Sequence, residues 1–263
     1  MLSAVVIEKI LENNFYEKVA YLPSQCSSMK IIDGDAISFI DASVSSDTFN
    51  VAYLRNKEKL SETETKEMID HYAKKNVPFA LWVGPQNFDD KVDKVLQSAN
   101  LKCVESELSM AAKAQDAVMK FNNIEGFVTK EVLDIDTFED YGFVMASVFD
   151  PFDEEAVAFY KKVSADYDNK NGKYQMFVGY INDEPAAICC SIISDEKFGG
   201  IYDIVTNPKF QRKGLGTYMT SVAIKNLTDQ GCDIVGMQAS DDGQHVYKKM
   251  GFESFGTFRV YSV

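Results

Sequence analysis

One segment constrains the fold of this 263-residue chain more than any other: Val205-Thr206-Asn207-Pro208-Lys209-Phe210-Gln211-Arg212-Lys213-Gly214-Leu215-Gly216-Thr217. The residues from Gly200 to Thr206 read as a strand. Gly216 to Gln230 reads as a helix with Met219, Val222, Ala223 and Leu227 inward, ended by Gly231. A strand that passes through a short loop into a helix belongs to an α/β architecture, in which helices lie on a sheet. Gly214 and Gly216 let a ligand approach the backbone. The helix start offers unpaired N–H groups and a partial positive charge, and Arg212 and Lys213 add full charges. This combination grips a pyrophosphate.

The surrounding elements fall into two series that read alike. In the first, Val6 to Val19 is helix-like, with Ile7, Ile10, Leu11 and Phe15 on one face. Ala36 to Val44 is partly strand-like, although Ile40 breaks the alternation of Ile37 and Phe39, and Phe49 to Leu54 is another strand candidate. Ser61-Glu62-Thr63-Glu64 is a capping box that opens a helix with Met68, Ile69 and Tyr72 inward. Phe79 to Val83 is a strand ended by Gly84-Pro85, and Asp89 to Ala99 is a helix. The polar stretch Lys120 to Gly126 is the best boundary, giving domains 1–122 and 123–263. The second series runs through a strand at Phe127 to Val132, a helix capped by Asp136, and a break at Asp150-Pro151. A further helix starts at Asp153, and Asp168 to Gly172 makes a turn. A hairpin, Tyr174 to Ile181 with Ala186 to Ser194, follows across Asn182-Asp183-Glu184-Pro185. After the opening segment come a short strand, Ile234 to Gln238, and a short helix, Gln244 to Met250. A last strand carries Phe255, Phe258 and Tyr261. The expected fold class is α/β (α+β): a mixed sheet flanked by helices, in two pseudo-repeated domains.

Composition removes several function classes. Lys plus Arg is 27 against 40 Asp plus Glu, a net charge of -13. Such a surface repels phosphate backbones and anionic lipid, so no nucleic-acid or membrane partner is expected. No apolar run approaches the ~20 residues of a membrane span, and the start Met1-Leu2-Ser3-Ala4-Val5-Val6-Ile7-Glu8 lacks a basic leader, which points to the cytoplasm. The five cysteines, Cys26, Cys103, Cys189, Cys190 and Cys232, form no C-x-x-C and read as buried free thiols of a reducing compartment. With only His71 and His245, a serine-type triad or a multi-histidine metal site is a poor reading, and no metal is expected.

The loop itself fits one ligand class best. A P-loop needs G-x-x-x-x-G-K-[ST], which is absent, and a Rossmann fingerprint needs a glycine where Met219 stands. A Gln/Arg-x-x-Gly-x-Gly/Ala loop for acyl-coenzyme A is satisfied by Gln211, Gly214 and Gly216. Val205 to Gly216 resembles motif A of the GNAT superfamily of N-acetyltransferases, and Val246-Tyr247-Lys248-Lys249-Met250-Gly251-Phe252 resembles its motif B. The resemblance covers about the last half of the chain, Gly126 to Val263, with the same element order. The first half looks like a degenerate copy. Phe79 to Pro85 is similar to the fourth strand of that fold, and Gln86-Asn87-Phe88-Asp89-Asp90 stands where the glycine loop should be, with neither glycine nor cation.

The resemblance implies transfer of an acetyl group from acetyl-coenzyme A to an amine of a small molecule or peptide, by direct attack in a ternary complex. It places the thioester carbonyl at backbone N–H groups near Ile204, Val205 and Thr206. The pantetheine arm would pair along that strand, and the pyrophosphate would sit on Arg212, Lys213, Gly214, Leu215, Gly216 and Thr217, next to Gln211. Ser240 stands near the position of a pantetheine-binding asparagine. Tyr247 matches the acid that protonates the departing thiolate, its phenol near ~10 being balanced with a thiol. Asp203 is the only acid on its strand and the candidate base. By alternation it shares a face with Ile201 and Val205, and Tyr202 with Ile204. Which face looks at the cleft stays open. The acids of Asp150-Pro151-Phe152-Asp153-Glu154-Glu155 hint at a basic acceptor. The rivals are a non-catalytic acyl-coenzyme A sensor or partner-binding module, and a nucleotide-binding protein; a monomer or a homodimer is expected.

Overall fold

The computed structural model describes residues 2–169, 172–194, 197–241 and 243–263. The expected turn at Asp168 to Gly172 includes Lys170 and Asn171, which lie outside the described residues. The first half contains α1 (Ala4–Gln25), β1 (Lys30–Asp33), β2 (Ile37–Asp41), β3 (Val51–Leu54), α2 (Glu62–Lys75), β4 (Ala80–Val83), α3 (Asp90–Ser98) and β5 (Lys102–Lys113). The second contains β6 (Phe127–Glu131), α4 (Ile135–Ala146), α5 (Glu154–Ser164), β7 (Tyr174–Ile181), β8 (Glu184–Ser194), β9 (Phe198–Thr206), α6 (Leu215–Asp229), β10 (Ile234–Ala239), α7 (Gln244–Lys249) and β11 (Glu253–Ser262).

Local chemistry explains most of these boundaries. Ser61 Oγ accepts the Glu64 N–H at 3.2 Å and starts α2. The cap of α4 is Asp134, not the expected Asp136: its carboxylate accepts the Thr137 N–H, and the Thr137 hydroxyl closes a capping box, which leaves Asp136 in the first turn. The β7–β8 hairpin turns over Asn182 and Asp183 alone. Both have positive φ, as a two-residue turn matching strand twist demands. The broken alternation in β2 reflects burial on both sides, since Ile37 and Phe39 pack in one core cluster and Ile40 in another.

The strands form one mixed sheet in the order β1-β2-β3-β4-β11-β5-β10-β9-β8-β7-β6. The middle of this order is an exchange. β11, the last strand of the second half, inserts between β4 and β5, while β5, the last strand of the first half, lies between β11 and β10. Each half therefore completes the other's sheet. Each also contains one parallel crossover, β3-α2-β4 and β9-α6-β10. One face of the sheet is covered by α1, α4 and α5 over a core that includes Phe15, Tyr141, Phe159, Tyr174 and Phe258. On the second half's other face, Met219, Ile224, Leu227 and Val235 pack with Met250 and Phe252. Cys189 and Cys190 point to these opposite faces, and all five cysteines are unpaired.

Candidate active site

The site begins where two parallel strands part. β9 pairs with β10 only at Phe198, Gly199 and Gly200, opposite Ile234, Val235 and Gly236. Beyond that rung β10 continues against β5 to Ala239, and β9 continues against β8 to Thr206, so the edge of β9 that faces β10 carries no strand. The last rung is glycine on both strands because α1 crosses it. A Cβ on Gly200 would stand 1.8 Å from Asn14 Oδ1, and one on Gly236 2.5 Å from Leu11 Cδ2. Tyr202 Oη donates to Asn14 Oδ1 at 2.7 Å and fixes the helix there.

At the end of β9 the chain makes a short turn, Pro208–Phe210, with Asn207 Oδ1 accepting the Lys209 N–H at 3.0 Å. Arg212 and Gly214 then take left-handed backbone conformations (φ 63° and 83°) and α6 starts at Leu215. No side chain caps this helix and its first turn holds no acid. Its first N–H groups therefore have no partner within the helix. A Cβ at Gly214 or Gly216 would meet nothing closer than 3.8 Å. Gln211, Arg212, Lys213 and Gly214 are exposed, Leu215 is buried as the anchor, and Lys213 Nζ stands 5.2 Å from the Phe210 ring centre. Free donors, two cations and an absence of side-chain bulk fit a diphosphate.

Asp203 lies on the side of the sheet covered by α1, α4 and α5. β9 bulges between the Tyr202–Cys190 and Val205–Ile188 rungs, and Asp203 itself has φ 55°. The bulge resets the alternation: Tyr202, Asp203 and Val205 meet the core under α1, α4 and α5, whereas Ile201 and Ile204 meet the core under α6. The expected grouping of Asp203 with Ile201, and of Tyr202 with Ile204, does not hold. The carboxylate is surrounded by donors: Lys18 Nζ at 2.8 Å, Tyr141 Oη at 3.0 Å, Tyr160 Oη at 3.4 Å and Cys190 Sγ at 3.4 Å. Burial works against the charge on Lys18, but the attraction and hydrogen bond of Asp203, with Cys190 and Glu107 adding to them, raise the ammonium pKa on balance. Burial pushes Tyr141, Tyr160 and Cys190 far up, so all three stay protonated donors.

Tyr247 projects from α7, its ring 6.2 Å from that of Phe252, in space left by Gly243, where a Cβ would stand 2.9 Å from the Tyr247 ring. Its phenol is pushed up to about 12, by burial first and by the charge of Glu107 second, against a lowering by Thr220. The expected balance with a thiol is thus shifted: Tyr247 holds its proton at any working pH. Ser240 is exposed and its Oγ accepts the Gly243 N–H at 3.3 Å, an engagement inside the turn before α7. His245 is exposed, and His71 Nε2 lies 3.1 Å from Asp41 in the first half, away from the parting.

Sequence reasoning missed the groups that β5 brings. Leu108 of β5 pairs with Ala239, the end of β10, so Glu107 is the first residue of β5 beyond β10. Burial raises the Glu107 carboxyl to about 7, the neighbouring Glu105 adds to the rise, and Lys18 opposes it. Ser109 and Gln238, opposite each other on β5 and β10, carry buried polar atoms with no protein partner. The signal available was the alternation Glu105, Glu107, Ser109 in a stretch of low strand propensity.

The first half's counterpart of the glycine loop is not Gln86 to Asp90, as expected. The crossover places β3 and α2 in the positions of β9 and α6, so the counterpart is Arg55 to Ser61, which contains a short turn, Lys57–Lys59, like Pro208–Phe210. Its cations are spent on carboxylates, Lys57 on Asp89 at 3.4 Å and Lys59 on Asp35 at 3.7 Å. β3 and β4 stay paired from Val51–Ala80 to Tyr53–Trp82 without parting.

Among the described residues, no cluster of three or more His, Cys, Asp or Glu could hold a metal ion, and no helix is long and apolar enough to cross a membrane. A model of the acetyltransferase (GNAT) family matches residues 148–252. A GCN5-related N-acetyltransferase from Kribbella flavida is similar in structure, with a TM-score of 0.69 over 98% of this chain and 95% of its own at 10% identity. So is a tandem GNAT protein from the clavulanic acid biosynthesis pathway, with a TM-score of 0.60, 100% and 96% coverage and 10% identity. A GCN5-related N-acetyltransferase from Sphaerobacter thermophilus gives 0.59, 88%, 82% and 9%. No curated protein matches the chain in sequence. Residues 148–252 thus match the acetyltransferase (GNAT) family, and the chain as a whole has the fold of GNAT proteins, tandem members included.

Proposed function

We propose that this protein is an N-acetyltransferase that moves the acetyl group of acetyl-coenzyme A to an amine of a small molecule or peptide. The observation that carries this reading is the parting of β9 from β10 directly above an uncapped, glycine-started α6. The strandless edge from Ile201 to Thr206 offers main-chain groups to an extended pantetheine arm, as an added strand would be held. N–H groups from Arg212 to Thr217 receive the diphosphate, with Arg212 and Lys213 beside it and Gln211 at the entrance. Backbone donors at the Ile204–Thr206 end polarise the thioester carbonyl, and Tyr247 gives its proton to the departing thiolate. Ser240 borders the arm from the turn after β10. The two halves, 1–122 and 123–263, are read as a degenerate and an active repeat; the exchange of β5 and β11 ties them into one sheet. The acceptor has to be a neutral amine when it attacks, so the site must remove a proton from an ammonium ion near pKa ~10.

The test is direct. Acetyl-coenzyme A should raise the melting temperature where ATP and NAD do not, and an amine should accelerate release of free thiol. Stabilisation by NAD or ATP instead, with none from acetyl-coenzyme A, would sink the reading.

A further inference from the structure

We propose that Glu107, carried on the strand that the first half inserts into the second half's sheet, takes the proton from the acceptor amine. This rests on the acetyltransferase reading above and assigns the first half a chemical part in it. Three observations lead there. β10 ends at Ala239, and Glu107 is the next residue along β5 past that end, so it stands at the mouth of the parting, paired with Phe258 of β11 on one side and with no strand on the β10 side. Glu107 shares its strand face with Ser109, and Ser109 and the opposing Gln238 leave a buried hydroxyl and a buried amide without partners. They form a polar floor that the protein itself does not satisfy. Asp203, the other acid near the parting, has its oxygens engaged by Lys18, Tyr141, Tyr160 and Cys190, whereas among the described residues none hydrogen-bonds or ion-pairs with the Glu107 carboxylate.

The proton accounting closes without another reactant. The acceptor arrives as an ammonium ion, and the Glu107 carboxylate takes one proton and returns it to solvent. The neutral nitrogen attacks the thioester carbonyl, a C–N bond forms and the C–S bond breaks. The thiolate takes the Tyr247 proton, and the proton leaving the new amide nitrogen restores the phenol. A carboxyl raised to about 7 suits this work near neutral pH. The charged or titratable groups around it are Glu105 on its own strand, Lys18 from α1, Tyr247 from α7, and Asp203 from β9 behind Lys18.

The experiment follows thiol release by the full chain with acetyl-coenzyme A and phenethylamine, spermidine, glucosamine or a tripeptide amide, between roughly pH 5.5 and 9. The wild type should gain kcat as pH rises through about 7. Glu107→Gln should lower kcat by about a hundredfold or more and lose that limb, while the thermal shift from acetyl-coenzyme A is unchanged. Glu107→Asp should recover part of kcat with the limb displaced to lower pH. A Glu107→Gln protein that turns over like the wild type with the same limb overturns the proposal. If Glu107→Gln does not fold, an undisplaced limb in Glu107→Asp overturns it. A wild type that acetyl-coenzyme A stabilises but that releases no thiol with any amine overturns the acetyltransferase reading itself, and this proposal with it.

Discussion

The two crossovers of the sheet, β3-α2-β4 and β9-α6-β10, have one topology and opposite character. In the first, the strands stay paired from Val51–Ala80 to Tyr53–Trp82, to within one residue of the end of each. Its helix starts at Ser61, which caps it, with Glu62 and Glu64 in the first turn. The strand ends are sealed from above by α1: Tyr16 Oη donates to the Leu54 carbonyl, and Glu12 accepts the Gln86 N–H and, at 2.9 Å, Asn87 Nδ2. In the second, the strands part after one pair of glycines, the helix starts at Gly214 uncapped, and no acid follows. A helix N-terminus attracts an anion in either case. One crossover satisfies that demand with its own side chains, and the other leaves it unmet.

The comparison can be broken in order of effect. Gly214→Val places a branched side chain at φ 83° in the open loop and should weaken acetyl-coenzyme A by about a thousandfold or more, ~4 kcal/mol, with the fold retained; calorimetric titration measures this. An unchanged affinity would mean that the diphosphate lies elsewhere. Tyr247→Phe should lower kcat by about a hundredfold with little change in cofactor affinity. The corresponding helix of the first half, α3, carries no tyrosine to lose.

Glu12 tests the sealed side. Burial raises its carboxyl from 4.5 to about 7, opposed by its bonds to Gln86 and Asn87. The folded chain then binds this proton more tightly than the unfolded chain, so its contribution to stability declines as pH climbs from about 4.5 to about 7 and stays low above that. In Glu12→Gln the loss of stability across that range should shrink by about 3 kcal/mol, read from urea melts at several pH values, with acetyl-coenzyme A affinity untouched. Glu107 adds a decline of the same sign, which the Glu107→Gln variant removes separately. The smallest effect belongs to Ser61→Ala, about 1 kcal/mol in the same melts for the lost cap of α2. A change in cofactor binding by either first-half variant would erase the distinction between the crossovers.

What could be read along the chain was what neighbours decide. Gly214, Gly216 and the helix after them, the Ser61 cap, and the inward faces of α2 and α6 follow from spacing within a turn or two. β5 was not legible, because Lys102–Lys113 is rich in Lys, Glu, Ser and Ala and becomes a central strand only through pairing with β10 and β11. The placement of the first half's counterpart loop failed by one strand for a related reason: only pairing tells β3 from β4. The surroundings of Asp203 were equally hidden, since its ion-pair partner, Lys18, lies 185 residues away.

The amino-acid order alone set the α/β class, the glycine-containing bend before α6 and its likeness to the GNAT motifs, because backbone freedom and helix-end charge depend on adjacent residues. Tertiary structure decided that the halves trade their final strands, that Asp203 is ringed by donors, and that Glu107 stands beside Tyr247's helix. Hydrogen-bond partners across a sheet and loss of water around a carboxyl come from residues distant in the chain, and only packing brings those together.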